Sequence, residues 1–270
     1  MIMQRGWSSH RAGGIAIGAC VIIFFADERS TMADWDSFSE DYDRVFIENP
    51  QYIDTIERML EAVEDADGIH ALDLGCGTGT VTERLLERFG GCRIDVVGVD
   101  PSAGMRDKYR ARFAGRQAVE VREGDALGIP AVDNGFDYLF SNLALHHLPP
   151  EQRSQCGSEL LRVLAPGGVL VYADMFCDVD SDPHDPVRVK DIVDKMVGVA
   201  LYCLDHGAFE MMQVMLATLP ADISNEGEYL TTGDVWKGVL EEAGFEDVEV
   251  RPVPPEQFGV KIILARKPAE

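Results

Sequence analysis

Positive charge is scarce in this 270-residue sequence: 24 Lys and Arg stand against 47 Asp and Glu, a formal net charge of −23. That balance repels a polyanion at long range unless a local basic stripe offsets it, and the sequence has none, so nucleic acid is not expected as a partner. Paired cysteines are also lacking. Cys20, Cys76, Cys92, Cys156, Cys177 and Cys203 show no CxxC spacing and no histidine at zinc-ligand distance. No metal is therefore expected, and reduced thiols in the cytoplasm are. There is no internal repeat, which excludes solenoids and propellers. The apolar run over residues 13–26, behind Arg5 and Arg11, is too short to span a bilayer comfortably. It fits a signal peptide, and it fits better either a translation start misplaced upstream of Met32, because a globular pattern begins directly after that residue, or a disordered or loosely packed extension. Residues 1–31 are thus set apart as an extension, and 32–270 as the domain.

Within the domain the apolar positions Phe38, Tyr42 and Phe46, then Ile53, Ile56, Met59, Leu60 and Val63, recur every three or four residues. They predict two amphipathic helices broken near Pro50. Beyond them strands expected at 70–74, 94–99, 118–122, 136–141 and 169–173 alternate with helices at 80–89, 102–113 and 150–164. Continuous apolar strands alternating with helices imply an α/β fold, a doubly wound and mostly parallel sheet covered on both faces. After Met175 the rhythm breaks for about 55 residues, too long for an ordinary connection, so 176–230 reads as a helical insertion. The pattern then resumes with a helix capped by Thr231 or Thr232 and ended by Gly244, followed by strands at 248–251 and 260–265.

The residues able to carry chemistry fall at strand ends. Asp73-Leu74-Gly75-Cys76-Gly77-Thr78-Gly79 places three glycines at alternate positions between a buried strand and a helix. Glycine is needed where backbone takes special dihedrals or approaches a ligand closely, and a helix start offers N–H donors. Asp100 ends the second strand, where a carboxylate can accept both hydroxyl hydrogens of a ribose. Gly124-Asp125-Ala126 follows the third strand and Ser141-Asn142-Leu143 ends the fourth. Ligands in open α/β sheets bind beyond the carboxyl ends of strands, so these tips converge on one crevice.

With these motifs in order, the stretch 35–265 resembles the class I S-adenosylmethionine-dependent methyltransferases, nearest the small-molecule group that includes ubiquinone- and menaquinone-biosynthesis enzymes. The resemblance implies a Rossmann-like seven-stranded sheet with an antiparallel last strand, which 260–265 would supply. It implies S-adenosylmethionine as cofactor, with Asp73, Gly75, Cys76, Gly77 and Gly79 around its methionine part. Asp100 would hold the ribose, flanked by Pro101 and Met105; Asp125 would contact the adenine amino group, with Gly124 beside it and a backbone contact from Ala126. Asn142 and Leu143 would lie along the methionyl arm. A dinucleotide is the rival cofactor, but its loop is G-x-G-x-x-G and receives a pyrophosphate. Asp73 would repel that group, whereas it suits a sulfonium and an ammonium.

Methyl transfer from a sulfonium asks mainly for alignment, and a general base only where the nucleophile arrives protonated. His147 is the candidate for that task, since related phosphoethanolamine methyltransferases carry a histidine at the matching position and a tyrosine that Tyr42 would supply. Met196, Met211, Met212 and Met215 either line an adaptable acceptor pocket or pack the insertion onto the core. The acidic run 178–185, with His184 inside it, reads as a solvated loop. A small-molecule acceptor leads; an RNA or protein methyltransferase and a non-catalytic S-adenosylmethionine binder remain as alternatives.

Overall fold

The computed structural model describes residues 42–47, 49–64 and 66–270. The extension 1–31 and Phe38 of the expected first helix therefore lie outside the described residues. Helix α1 (Tyr42–Ile47) and helix α2 (Pro50–Met59) are parted at Asn49, whose Oδ1 accepts the Gln51 N–H at 3.0 Å. That bond caps α2, and Pro50 sits at its first position, where a missing N–H costs nothing.

Among the described residues, β1 (Ile69–Leu74), β2 (Ile94–Asp100), β3 (Val119–Glu123), β4 (Phe136–Asn142), β5 (Leu164–Met175), β6 (Glu246–Pro252) and β7 (Val260–Arg266) form one sheet. Its order is β3-β2-β1-β4-β5-β7-β6. All strands are parallel except β7, which runs against both β5 and β6. Helices α3 (Thr80–Arg88), α4 (Ala103–Arg112), α5 (Arg153–Val163) and α8 (Gly233–Ala243) connect strands, while α6 (Pro186–Asp205) and α7 (Phe209–Ser224) make the insertion after β5. The chain winds outward from β1 to β3, then restarts on the other side of β1 with β4. That reversal opens a crevice between the tips of β1 and β4.

Successive strand residues face opposite sides, and the core divides accordingly. Ala71, Phe140 and Val171 pack under α2, α3 and the insertion, with Ile56, Met59, Leu85, Met196 and Met211. Leu72, Leu139 and Leu170 pack under α5 and α8, with Leu160, Trp236 and Leu240. Met196, Met211 and Met215 are buried in the first of these clusters and Met212 packs against it, so the insertion's methionines seat it on the sheet.

Some boundaries differ from the sequence expectation. The helix expected from Pro150 begins at Arg153 after a 3-10 turn. Strand β5 starts at Leu164, paired with Phe136, and runs on to Met175 because β7 continues to pair with it there. The acidic run is a loop in which Asp178, Asp180, Asp182 and His184 are exposed; Asp178 Oδ2 also accepts from Lys195 at 2.7 Å and Oδ1 from Lys261 at 3.0 Å, tying the insertion to β7.

Candidate active site

The buried end of β1 leads straight into the glycine loop. Gly75, Gly77 and Gly79 all have positive φ, at 67°, 50° and 97°. The N–H groups of Gly75 and Cys76 donate to Val99 O at 2.8 and 3.1 Å, fixing the loop to the adjacent strand. A Cβ on Gly75 would lie 2.4 Å from the Ala144 Cβ, so the loop after β4 rests directly on the glycine loop. A Cβ on Gly77 would meet nothing within 4 Å. One glycine thus serves a protein contact and the other faces open space.

Asp73 is 2% exposed, and its Oδ2 accepts from the Thr82 hydroxyl at 2.7 Å and the Thr82 N–H at 3.3 Å. Burial lifts its carboxyl to about 6 against those two hydrogen bonds, and Asp100 adds to the rise. A buried carboxylate in that state gains from a cationic neighbour. Burial also pushes the Cys76 thiol well above its usual range, so that side chain is a packing group rather than a nucleophile.

Asp100 already has work within the protein. Its Oδ2 accepts from Gly77 N and its Oδ1 from Ser102 N, each at 2.9 Å, and Ser102 caps α4 through Met105 N. The carboxylate therefore pins the glycine loop to the start of α4, with Pro101 exposed beside it and Met105 buried. Asp125 is exposed and its Oδ1 accepts from Leu127 N and Gly128 N, holding the turn after β3. Gly124 packs against Pro130, and Ala126 is buried.

At the tip of β4 both polar atoms of the Asn142 amide are buried without a hydrogen-bond partner, as is the Ser141 hydroxyl. Such groups cost stability unless something bonds to them. Leu143 then takes φ 52°, a strained value for a branched side chain, while its N–H donates to Ala173 O at 2.9 Å. Open space at Gly77, a buried acid at Asp73 and an unsatisfied amide at Asn142 suit a zwitterionic amino-acid moiety with an adjacent cationic sulfur. The residues present fit S-adenosylmethionine.

Beyond Ala144 lies a cluster that the sequence did not reveal. His146 Nδ1 is 2.6 Å from Asp174 Oδ1, and its Nε2 is 3.0 Å from Glu228 Oε2. Burial disfavours a charged imidazole, but Asp174 and Glu228 together hold His146 protonated, well above the ordinary histidine range. His147 Nδ1 lies 3.0 Å from Gly227 O. Burial, then the neighbouring His146, push its imidazole down. Asp222, 4% exposed, is lifted to about 7 by burial and then by Glu228. Asp174 directly follows the strand expected at 169–173 but was not singled out there; Asp222 and Glu228 come from the insertion and carry no local signal. The expectation of no metal rested on sequence spacing alone, which does not register side chains brought together by folding. His146, His147 and Glu228 bring three ligand atoms within 4.8 Å of one another.

The N-terminal helix reaches the glycine loop. Asp43 bonds to the Thr78 hydroxyl of the glycine loop and to Arg112. The backbone of Tyr42 adjoins this latch, and its side chain lies outside the described residues.

Comparison with known proteins bears on the family and the fold. A family model described as "Methyltransferase domain" matches residues 71–168. An uncharacterized methyltransferase of Geobacillus kaustophilus is 35% identical over 144 residues, covering 52% of this chain and 64% of that protein, just under two thirds of its length. A demethylmenaquinone methyltransferase of Staphylococcus aureus is 30% identical over 224 residues, covering 80% of this chain and 84% of the other. In fold alone, the chain resembles Haemonchus contortus phosphoethanolamine N-methyltransferase 2 in complex with S-adenosyl-L-methionine. That match has a TM-score of 0.61 at 17% identity and covers 86% of this chain and 57% of that one. Sheet order, glycine loop and sequence relatives agree: this chain belongs to the class I S-adenosylmethionine-dependent methyltransferases.

Proposed function

We propose that this protein transfers the methyl group of S-adenosylmethionine to a small molecule held beyond the tips of β4 and β5. The observation that carries the reading is the contact between Gly75 and Ala144, which sets the loop bearing His146 and His147 on the loop that would hold the cofactor. The cofactor supplies an electrophilic methyl on a cationic sulfur. The acceptor's lone pair forms the new bond to that carbon as the C–S pair goes to sulfur, which becomes neutral. Alignment of these atoms can supply on the order of 7 to 11 kcal/mol.

In this reading the glycine loop with Asp73 and Cys76 surrounds the methionine part, and Asn142 and Leu143 lie along it. Asp100, with Pro101 and Met105, faces the ribose, and Gly124, Asp125 and Ala126 face the adenine. His147 and Tyr42 attend the acceptor, His147 acting on it directly or through a bound cation. The insertion 176–230 is the acceptor lid of a domain spanning 32–270, with 1–31 an extension. The acidity of the chain favours a small acceptor over RNA. Free thiols at all five described cysteines support a cytoplasmic setting; no described helix is long and apolar enough to cross a membrane.

Transfer of labelled methyl from S-adenosylmethionine into a metabolite extract, beside bulk tRNA and bulk protein, tests the reading. Label in a small molecule is the expected result. Label in tRNA or protein, or S-adenosylhomocysteine binding with no transfer to any of them, overturns it.

A further inference from the structure

We propose that His146, His147 and Glu228 bind one divalent transition-metal ion of the zinc type at the acceptor end of the crevice. Glu228 Oε2 lies 3.0 Å from His146 Nε2 and 3.4 Å from His147 Nδ1. Metal–donor bonds of about 2.0–2.2 Å place neighbouring ligand atoms roughly 3 to 3.5 Å apart, so Glu228 already stands at ligand spacing from both imidazoles, and all three ligand atoms lie within 4.8 Å of one another. Gly227 O, 3.0 Å from the same His147 nitrogen, is a further oxygen within reach.

The surroundings are those of a metal ligand. His146 presents Nε2 to the cluster while its Nδ1 is held by Asp174, which also accepts from Tyr172 OH at 2.8 Å, Met175 N at 2.9 Å and His146 N at 3.1 Å. A carboxylate fixed on the far nitrogen orients a ligating imidazole and raises its basicity. Carboxyl groups crowd the cluster. Asp174 is fully buried, Asp222 nearly so with Oδ2 unpartnered, and Glu228 has a side chain only 12% exposed. The Arg188 guanidinium that acts on Asp222 is committed to Ile223 O, Asn225 Oδ1 and Leu230 O. A divalent cation there would be countered directly by Glu228 and, through His146, by Asp174.

Two imidazoles and one carboxylate favour zinc, cobalt(II), iron(II) or manganese(II) over magnesium or calcium, which prefer all-oxygen sites. Three protein donors leave a position for the acceptor, and a hydroxyl or thiol placed on the ion loses its proton to water more readily. The acceptor is therefore an oxygen or sulfur nucleophile. That use of the ion rests on the methyl-transfer reading above; the binding of the ion does not.

The test is titration of the chelator-stripped full-length protein with Co2+ and with Zn2+, alongside S-adenosylhomocysteine binding by calorimetry. Expected are one tight equivalent per chain, visible bands of low-coordinate Co2+ bleached by Zn2+, and hyperfine-shifted resonances from two imidazoles. Glu228→Gln should lose the Co2+ bands. Asp174→Asn should weaken the metal by about 10- to 100-fold, the range for a lost outer partner. S-adenosylhomocysteine should bind all three proteins alike, which separates this site from the cofactor site. No Co2+ bands in the parent protein, shifted imidazoles numbering other than two, or equal affinity in a folded Glu228→Gln variant would overturn the proposal.

Discussion

Replacing Asp73 by Asn removes a charge that folding takes almost completely out of water. The folded carboxyl sits at about 6 against an ordinary 3.8. Between those values the folded state binds more protons than the unfolded one, so stability falls as pH rises through the window. The contribution is fully present below about pH 4 and lost above pH 6. At about 1.36 kcal/mol per pH unit, the shift corresponds to roughly 3 kcal/mol. Asn keeps an oxygen for the Thr82 hydrogen bonds and has no proton to lose. The stability of the parent minus that of Asp73→Asn should therefore decline by roughly 3 kcal/mol between pH 4 and pH 7, about 6 °C or more in melting temperature. S-adenosylhomocysteine brings an ammonium that favours the ionised acid. Its affinity for the parent should be level above pH 6 and fall about tenfold per unit below it, while the variant shows no such bend. Melting curves across pH, with and without the ligand, measure both effects. Parallel curves for the two proteins, together with an affinity unchanged from pH 7 to pH 5, would refute the account of Asp73.

Other expectations follow from the same geometry. Asp100→Ala removes the carboxylate that holds Gly77 N and Ser102 N, bonds worth about 1.5 to 3 kcal/mol each, so calorimetry should show both weaker S-adenosylhomocysteine binding and a lower melting point. Intact affinity would mean the ribose is held elsewhere. Gly75→Ala forces a side chain onto Ala144 at positive φ and should cost roughly 2 to 5 kcal/mol in urea unfolding. Gly77→Ala meets no neighbour and should cost only about 1 to 2 kcal/mol of folding while abolishing ligand binding, so a reversed ranking in the two assays would count against the loop assignment. His147→Ala should lower turnover by about 10² or more at unchanged cofactor affinity once an acceptor is identified; a change of only a few-fold would leave it as loop structure. A chain beginning at Met32 should unfold as cooperatively as the full chain and bind S-adenosylhomocysteine equally well, and loss of folding would assign residues 1–31 to the core.

Local chemistry made much of this fold readable from sequence. Asn49-Pro50 and Thr232 cap helices, Gly244 ends one in the left-handed conformation, and the glycines at 75, 77 and 79 mark a turn that no other residue adopts cheaply. Apolar runs such as Ala71-Leu72 located the strands because both faces of the sheet are buried there. The residues proposed for the cofactor half of the site could be picked out because they cluster just after strand ends. Within the insertion, which the sequence marked only as helical, α6 begins at Pro186 behind the Asp185 cap and runs to Asp205. Only tertiary structure set the strand order, because pairing between β1 and β4, or β5 and β7, joins segments with no mutual pattern. It alone also assembled the acceptor end. His147 meets Gly227 across 80 residues when the insertion folds back over the sheet, and His146 meets Asp174 across 28 when β4 pairs with β5. Periodicity records which face of an element is buried; which other element buries it, and which charged side chains are thereby brought together, depends on packing between segments that share no local signal.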